Sequence, residues 1–104
     1  MPGPGWFVYL LRCGDGSLYT GITTDVARRL AEHCGDHGGR RGAKALRGRQ
    51  PLQIVFSEAV GDRSRAQRLE YRIKQMDKRA KEAIVSGRLA LATLETDSTN
   101  IPDQ

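Results

Sequence analysis

Five side chains in this sequence form a set that can work on a phosphate. Tyr9 and Tyr19 carry phenols, His33 an imidazole, Arg29 a planar guanidinium and Glu70 a carboxylate. An arginine fork grips two oxygens of one phosphate at once. A carboxylate can hold a hard divalent cation, and phenols and imidazoles can carry protons. Taken singly, each residue also has an ordinary role. The two tyrosines suit cross-strand pairing in a sheet. Arg29 and His33, four apart, suit one solvated helix face, and Glu70 stands four residues before Lys74 as a surface ion pair would.

The elements that must position these residues are legible in the hydrophobic pattern. Trp6 to Arg12 is β-branched and aromatic, and Leu18 to Ile22 follows across a Gly-Asp-Gly turn, which predicts a β-hairpin carrying Tyr9 and Tyr19. Thr23, Thr24 or Asp25 can cap a helix running to about Cys34. Gly35 to Arg49 reads as a basic, glycine-rich loop. Pro51 to Ser57 alternates around Leu52, Ile54 and Phe56 as a third strand would. Asp62 caps a helix to about Met76, with Leu69, Ile73, Met76 and Ala80 at helical spacing. Asp77 to Val85 forms a further helix, with Gly87 as its stop. The order β-β-α-β-α-α predicts an α+β fold: a small three-stranded, mainly antiparallel sheet flanked by helices. Residues 1–5 are expected to be disordered, 6–94 to form one domain, and 95–104 to be a loose polar tail.

Composition narrows the class. A chain of 104 residues has room for one core. The longest apolar run, Trp6 to Leu11, is far short of the roughly 20 residues that span a bilayer, and Met1 to Gly5 has no signal-peptide character. A cytoplasmic protein without membrane contact is expected. Cys13 and Cys34 then read as reduced thiols, and their spacing with His33 and His37 matches no common zinc module. The net charge of +5 is uneven: residues 28–81 hold fifteen basic and six acidic side chains, or +9. Arg outnumbers Lys thirteen to four. Such a stripe suits a nucleic-acid backbone, with Arg28, Arg40, Arg41, Lys44, Arg47 and Arg49 as the candidate contacts.

The five residues, taken in order, resemble the GIY-YIG nuclease superfamily. Val8-Tyr9-Leu10 and then Tyr19-Thr20-Gly21 stand where that family has its paired tripeptides. Arg29 falls ten residues after Tyr19, His33 one helical turn later, and Glu70 on the helix after the third strand. The resemblance runs from about Trp6 to Val85. Gly-Ala-Lys-Ala-Leu-Arg-Gly (42–48) and Gly-Asp-Arg-Ser (61–64) make it closest to the small stand-alone bacterial branch. Both tripeptides depart from the family's name: Val and Leu flank Tyr9, and Thr20 replaces Ile.

The resemblance implies a magnesium- or manganese-dependent endonuclease acting on DNA, branched or nicked forms included, with no small-molecule cofactor. Glu70 would hold the single metal ion and Arg29 would clamp the phosphate. The family implies a general-base role for Tyr9, which needs its pKa to fall from about 10, as a nearby cation can cause. Tyr19 and His33 would orient water or phosphate, and Lys44 would add a phosphate contact. A catalytically idle or very slow nucleic-acid-binding module on the same fold is the alternative, because fold alone does not fix function.

Overall fold

The computed structural model describes residues 5–34 and 50–100, with the side chains of 96–100 excepted. Seven elements follow in chain order: β1 (Trp6–Arg12), β2 (Leu18–Thr23), α1 (Val26–His33), β3 (Gln53–Gly61), α2 (Arg63–Lys74), α3 (Lys78–Val85) and α4 (Leu91–Asn100). The three strands form one sheet in the order β2-β1-β3, antiparallel throughout, so the expected α+β class holds.

β1 is buried on both faces because successive side chains point to opposite sides of a strand. Val8 and Leu10 enter the larger core with Ala66, Leu69 and Ile73 of α2, Ile84 of α3 and Leu91 of α4. Tyr9, Leu11 and Cys13 face the other way, where Leu30 of α1 and Tyr19 of β2 pack on them. The sheet therefore separates a packing core from a second face that carries a phenol. Cys13 and Cys34 are free, as expected.

The β3 strand differs from its expected form in two ways. It runs on to Gly61, past the Ser57 at which the apolar alternation stops. Its register against β1 also shifts between Leu10 and Leu11, which pair with Phe56 and Ile54. The extra residue turns Phe56 to the larger core and leaves Leu52 and Ile54 on the Tyr9 side, whereas simple alternation places all three on one face.

The helix starts follow local chemistry. Asp25, Asp62 and Asp77 each occupy an N-cap, accepting hydrogen bonds from the backbone N–H of Arg28, Arg65 and Ala80. Gly87 takes φ +85° just past α3, a conformation that suits glycine. The chain beyond Leu94 departs from expectation. α4 continues to Asn100, and Arg65 holds the Glu95 carboxylate through two hydrogen bonds of 2.6 and 2.7 Å. A bidentate pair between residues thirty apart fixes this helix against α2, so the tail is not loose at its expected start. Residues 1–4 and 101–104 lie outside the described residues, and Gly5 within them.

Candidate active site

Tyr9 sits at the centre of the second face and is 1% exposed. Its hydroxyl is 2.9 Å from Nε2 of His33, the last residue of α1. Tyr19 completes the cluster, its ring centroid 6.5 Å from that of Tyr9 and 5.5 Å from that of His33. The structure thus brings Tyr9, Tyr19 and His33 into one cluster.

The protonation states follow from burial and charge. Burial pushes the Tyr9 phenol up to about 12, the neighbouring Tyr19 adds to the effect, and Arg29 pulls against it. The expected fall below the ordinary phenol value is therefore not what the folded chain has; loss of water outweighs the nearby guanidinium. His33 is pulled down to about 4, by burial first and by the Arg29 charge second. At neutral pH the imidazole is uncharged and the phenol is protonated, and in the tautomer with its proton on Nδ1 His33 accepts at Nε2 from the Tyr9 hydroxyl.

Arg29 is beside this pair, close enough that its charge acts on both groups. Its guanidinium donates to Glu32 at 2.8 Å, three residues on in α1, with the side chain 30% exposed. The i,i+4 pair of Arg28 with Glu32 exists only at 4.0 Å, so Glu32 belongs chiefly to Arg29. Both spacings bring side chains onto one helix face, and here the i,i+3 pair is the closer. Glu32 holds the arginine fork in place.

Glu70 comes from the opposite side of the sheet, on α2 beside the buried Leu69 and Ile73. It pairs with Lys74 at 3.2 Å, the ordinary surface arrangement, yet its charge also reaches Tyr9 and pushes that phenol upward. No group of three or more His, Cys, Asp or Glu residues converges among the described residues. Glu32 is already engaged by Arg29, which leaves Glu70 as the carboxylate with solvent access beside the cluster. That fits a magnesium-type cation, which keeps several waters and takes further oxygens from a phosphate. It does not resemble a zinc site.

Gly21 is part of the site through its missing side chain. It lies directly across from Tyr9 in the β1–β2 pairing, and the phenol ring lies over it. A Cβ there would fall 2.5 Å from Tyr9 Cζ and closer still to the hydroxyl. The glycine of the second tripeptide is required by this close approach. Gly21→Ala is expected to displace the Tyr9 ring and to cost about 1–3 kcal/mol, as overpacking does. Thermal unfolding checks it, and an unchanged melting temperature contradicts the account. Next to it, Thr20 is 2% exposed, and its Oγ1 has no hydrogen-bond partner among the described residues.

Arg28 lies on the exposed side of α1, 60% exposed, and the structure does not bring it to the cluster. Arg40, Arg41, Lys44, Arg47 and Arg49 lie outside the described residues. Sequence reasoning missed Glu32 as the partner of Arg29 and Gly21 as the seat of the Tyr9 ring. The signal for Glu32 was available in its i,i+3 spacing.

Known proteins share this arrangement of the chain. The GIY-YIG catalytic domain matches residues 5–83. A UPF0213 protein of Cronobacter sakazakii is 57% identical over 91 residues, covering 88% of this chain and 92% of that protein. The UPF0213 protein YhbQ of Salmonella typhimurium is 55% identical over 89 residues, 86% of this chain and 85% of that one. Among solved structures, the UPF0213 protein of Bacillus halodurans is 44% identical with a TM-score of 0.50, over 79% of this chain and 83% of that one. A protein of E. faecalis is 32% identical with a TM-score of 0.58, over 82% and 86%.

Proposed function

Because the chain belongs to the GIY-YIG catalytic-domain family of the nuclease superfamily, we propose that it is a divalent-metal-dependent endonuclease hydrolysing DNA phosphodiester bonds. The observation that carries this reading is the 2.9 Å bond from the Tyr9 hydroxyl to a neutral His33, with Arg29 beside it and the Glu70 charge within reach. A buried phenol held near 12 is a poor base as it stands. It becomes one when an acceptor takes its own proton, and His33 Nε2 is placed to do so. The negative charge that builds up on the phosphate offsets the burial and the Arg29 charge that disfavour the His33 imidazolium. A water attacking phosphorus gives its proton to Tyr9 Oη as the Tyr9 proton passes to His33. The imidazole becomes imidazolium, the P–O bond to the leaving oxygen breaks, and solvent protonates that oxygen.

Arg29 turns its fork from Glu32 to the nonbridging oxygens, where negative charge builds up in the transition state. Glu70 would hold the magnesium or manganese ion, which when bound supplies charge stabilisation at the phosphate and the departing oxygen. Tyr19 walls the cluster and helps keep bulk water from the Tyr9–His33 pair.

Arg28 provides an internal control for Arg29. Successive helix residues are about 100° apart, so the two cannot face one phosphate. Arg29→Ala is expected to lower the single-turnover rate at saturating DNA by about 100-fold or more, the size seen for loss of one transition-state donor. Arg28→Ala is expected to weaken DNA binding slightly and leave that rate nearly unchanged. Arg29→Lys should rescue only in part, since an ammonium cannot make the bidentate clamp. If Arg28→Ala is the crippling change, the register of α1 against the site is wrong. If the wild type cuts no DNA form, the binding-module reading takes over; the ion pairs already engaging Arg29 and Glu70 are the observation that favours it.

A further inference from the structure

A second feature lies around α2 from Glu70. Tyr71 is 67% exposed, the one large apolar side chain so placed among the described residues. It borders a groove of about 580 Å3 between α2 and α4, with Arg68, Arg72, Gln75, Met76 and Leu94 among its walls. The floor is apolar, the rim carries two guanidiniums, and no carboxylate lines the groove among the described residues. The charge complementarity is therefore with an anion that also has a flat apolar part.

We infer that this groove binds unpaired nucleotides of the DNA, with a base stacked on Tyr71 and its phosphates met by Arg68 and Arg72. A duplex keeps its base faces stacked inside except at its two ends, whereas a single strand can offer any of its bases to an exposed ring. Tyr71 follows Glu70 and sits about 100° further around α2. Arg68 and Arg72, two residues to either side of Glu70, turn to the far side of the helix from it, so the groove is a surface separate from the Tyr9 cluster. The inference makes the substrate a DNA with a single-stranded arm, and it rests on the nuclease reading for the cutting of that DNA.

The test compares a labelled blunt duplex with the same duplex carrying a single-stranded thymidine extension, by fluorescence anisotropy in EDTA so that nothing is cut. The wild type is expected to bind the extended form about tenfold more tightly, the scale of one base–aromatic stack. Tyr71→Ala should lose that preference and keep its affinity for the blunt duplex, and Tyr71→Phe should keep both. A 5-iodouracil in the extension should photo-crosslink to the tryptic peptide Leu69–Arg72. Equal affinity of the wild type for the two forms, or a preference that survives Tyr71→Ala, overturns the inference. So does a concentration-dependent dimer that Tyr71→Ala abolishes, which would give the groove to a second copy of the chain. A wild type that nicks DNA but ignores the extension refutes the subsite alone. One that prefers the extension through Tyr71 yet nicks nothing refutes the nuclease reading alone.

Discussion

Glu70→Gln is expected to remove magnesium-dependent nicking entirely while leaving DNA affinity equal or slightly higher. Glutamine keeps the shape of the side chain and loses only the charge that a hard cation requires. The fold has little at stake. Glu70 is 23% exposed, and its pair with Lys74 is of the half-exposed i,i+4 type, worth a few tenths of a kcal/mol. Freed of its partner, Lys74 adds a positive charge near the phosphate, which accounts for the predicted gain in affinity. The electrostatics at Tyr9 also separate the possible causes. Glu70 pushes the Tyr9 phenol up, so removing its charge makes Tyr9 easier to deprotonate. A lost rate therefore reports the metal and not a phenol held more firmly protonated. Anisotropy gives the affinity, and a thermal melt confirms that the variant is folded.

Tyr9→Phe is expected to lower the single-turnover rate by about 10²–10⁴, the usual contribution of general acid–base catalysis. The ring, its seat over Gly21 and its contacts with Leu11 and Cys13 all remain. What disappears is the hydroxyl and its bond to His33, costing about 0.5–1.5 kcal/mol of stability. Stability nearly kept with the rate lost marks a chemical role; an unchanged rate would return Tyr9 to the core and leave the water without a base. The pH profile gives a second readout. His33 is held near 4 in the folded chain, below its ordinary 6.5, so it stays neutral and able to accept at neutral pH. The wild-type rate should fall as acid protonates His33 towards pH 4. The sign for stability is the same. The unfolded chain takes up its His33 proton first, so the folded state is favoured in full above about 6.5 and loses that advantage as pH falls towards 4.

Much of this site could be read from the sequence because its positions are tied to local elements. The alternation of β1 and β2 puts Tyr9 and Tyr19 on one sheet face, and a four-residue step puts Arg29 and His33 on one turn of α1. The electrostatics were not legible in the same way. The direction of the Tyr9 shift depends on how deeply α1 buries it, which is a tertiary property. Its partner His33 is 24 residues away in sequence. The β3 bulge depends on pairing with β1, which no pattern within Pro51 to Ser57 reveals. α4 was misjudged because Thr, Ser and Asp after Leu94 are weak helix formers, and the Arg65–Glu95 contact that anchors it spans thirty residues. The Tyr71 groove was hidden for a simpler reason: a tyrosine at a helical position gives no sign of whether another element covers it.

The central claim is that this site cuts DNA with the help of a metal ion held at Glu70. Conversion of supercoiled to nicked plasmid, with magnesium or with EDTA, tests it most directly when wild type and Glu70→Gln are purified in parallel. The account predicts nicking by the wild type in magnesium only, and none by Glu70→Gln in either condition. Equal nicking by the two proteins, or wild-type nicking that persists in EDTA, would contradict it.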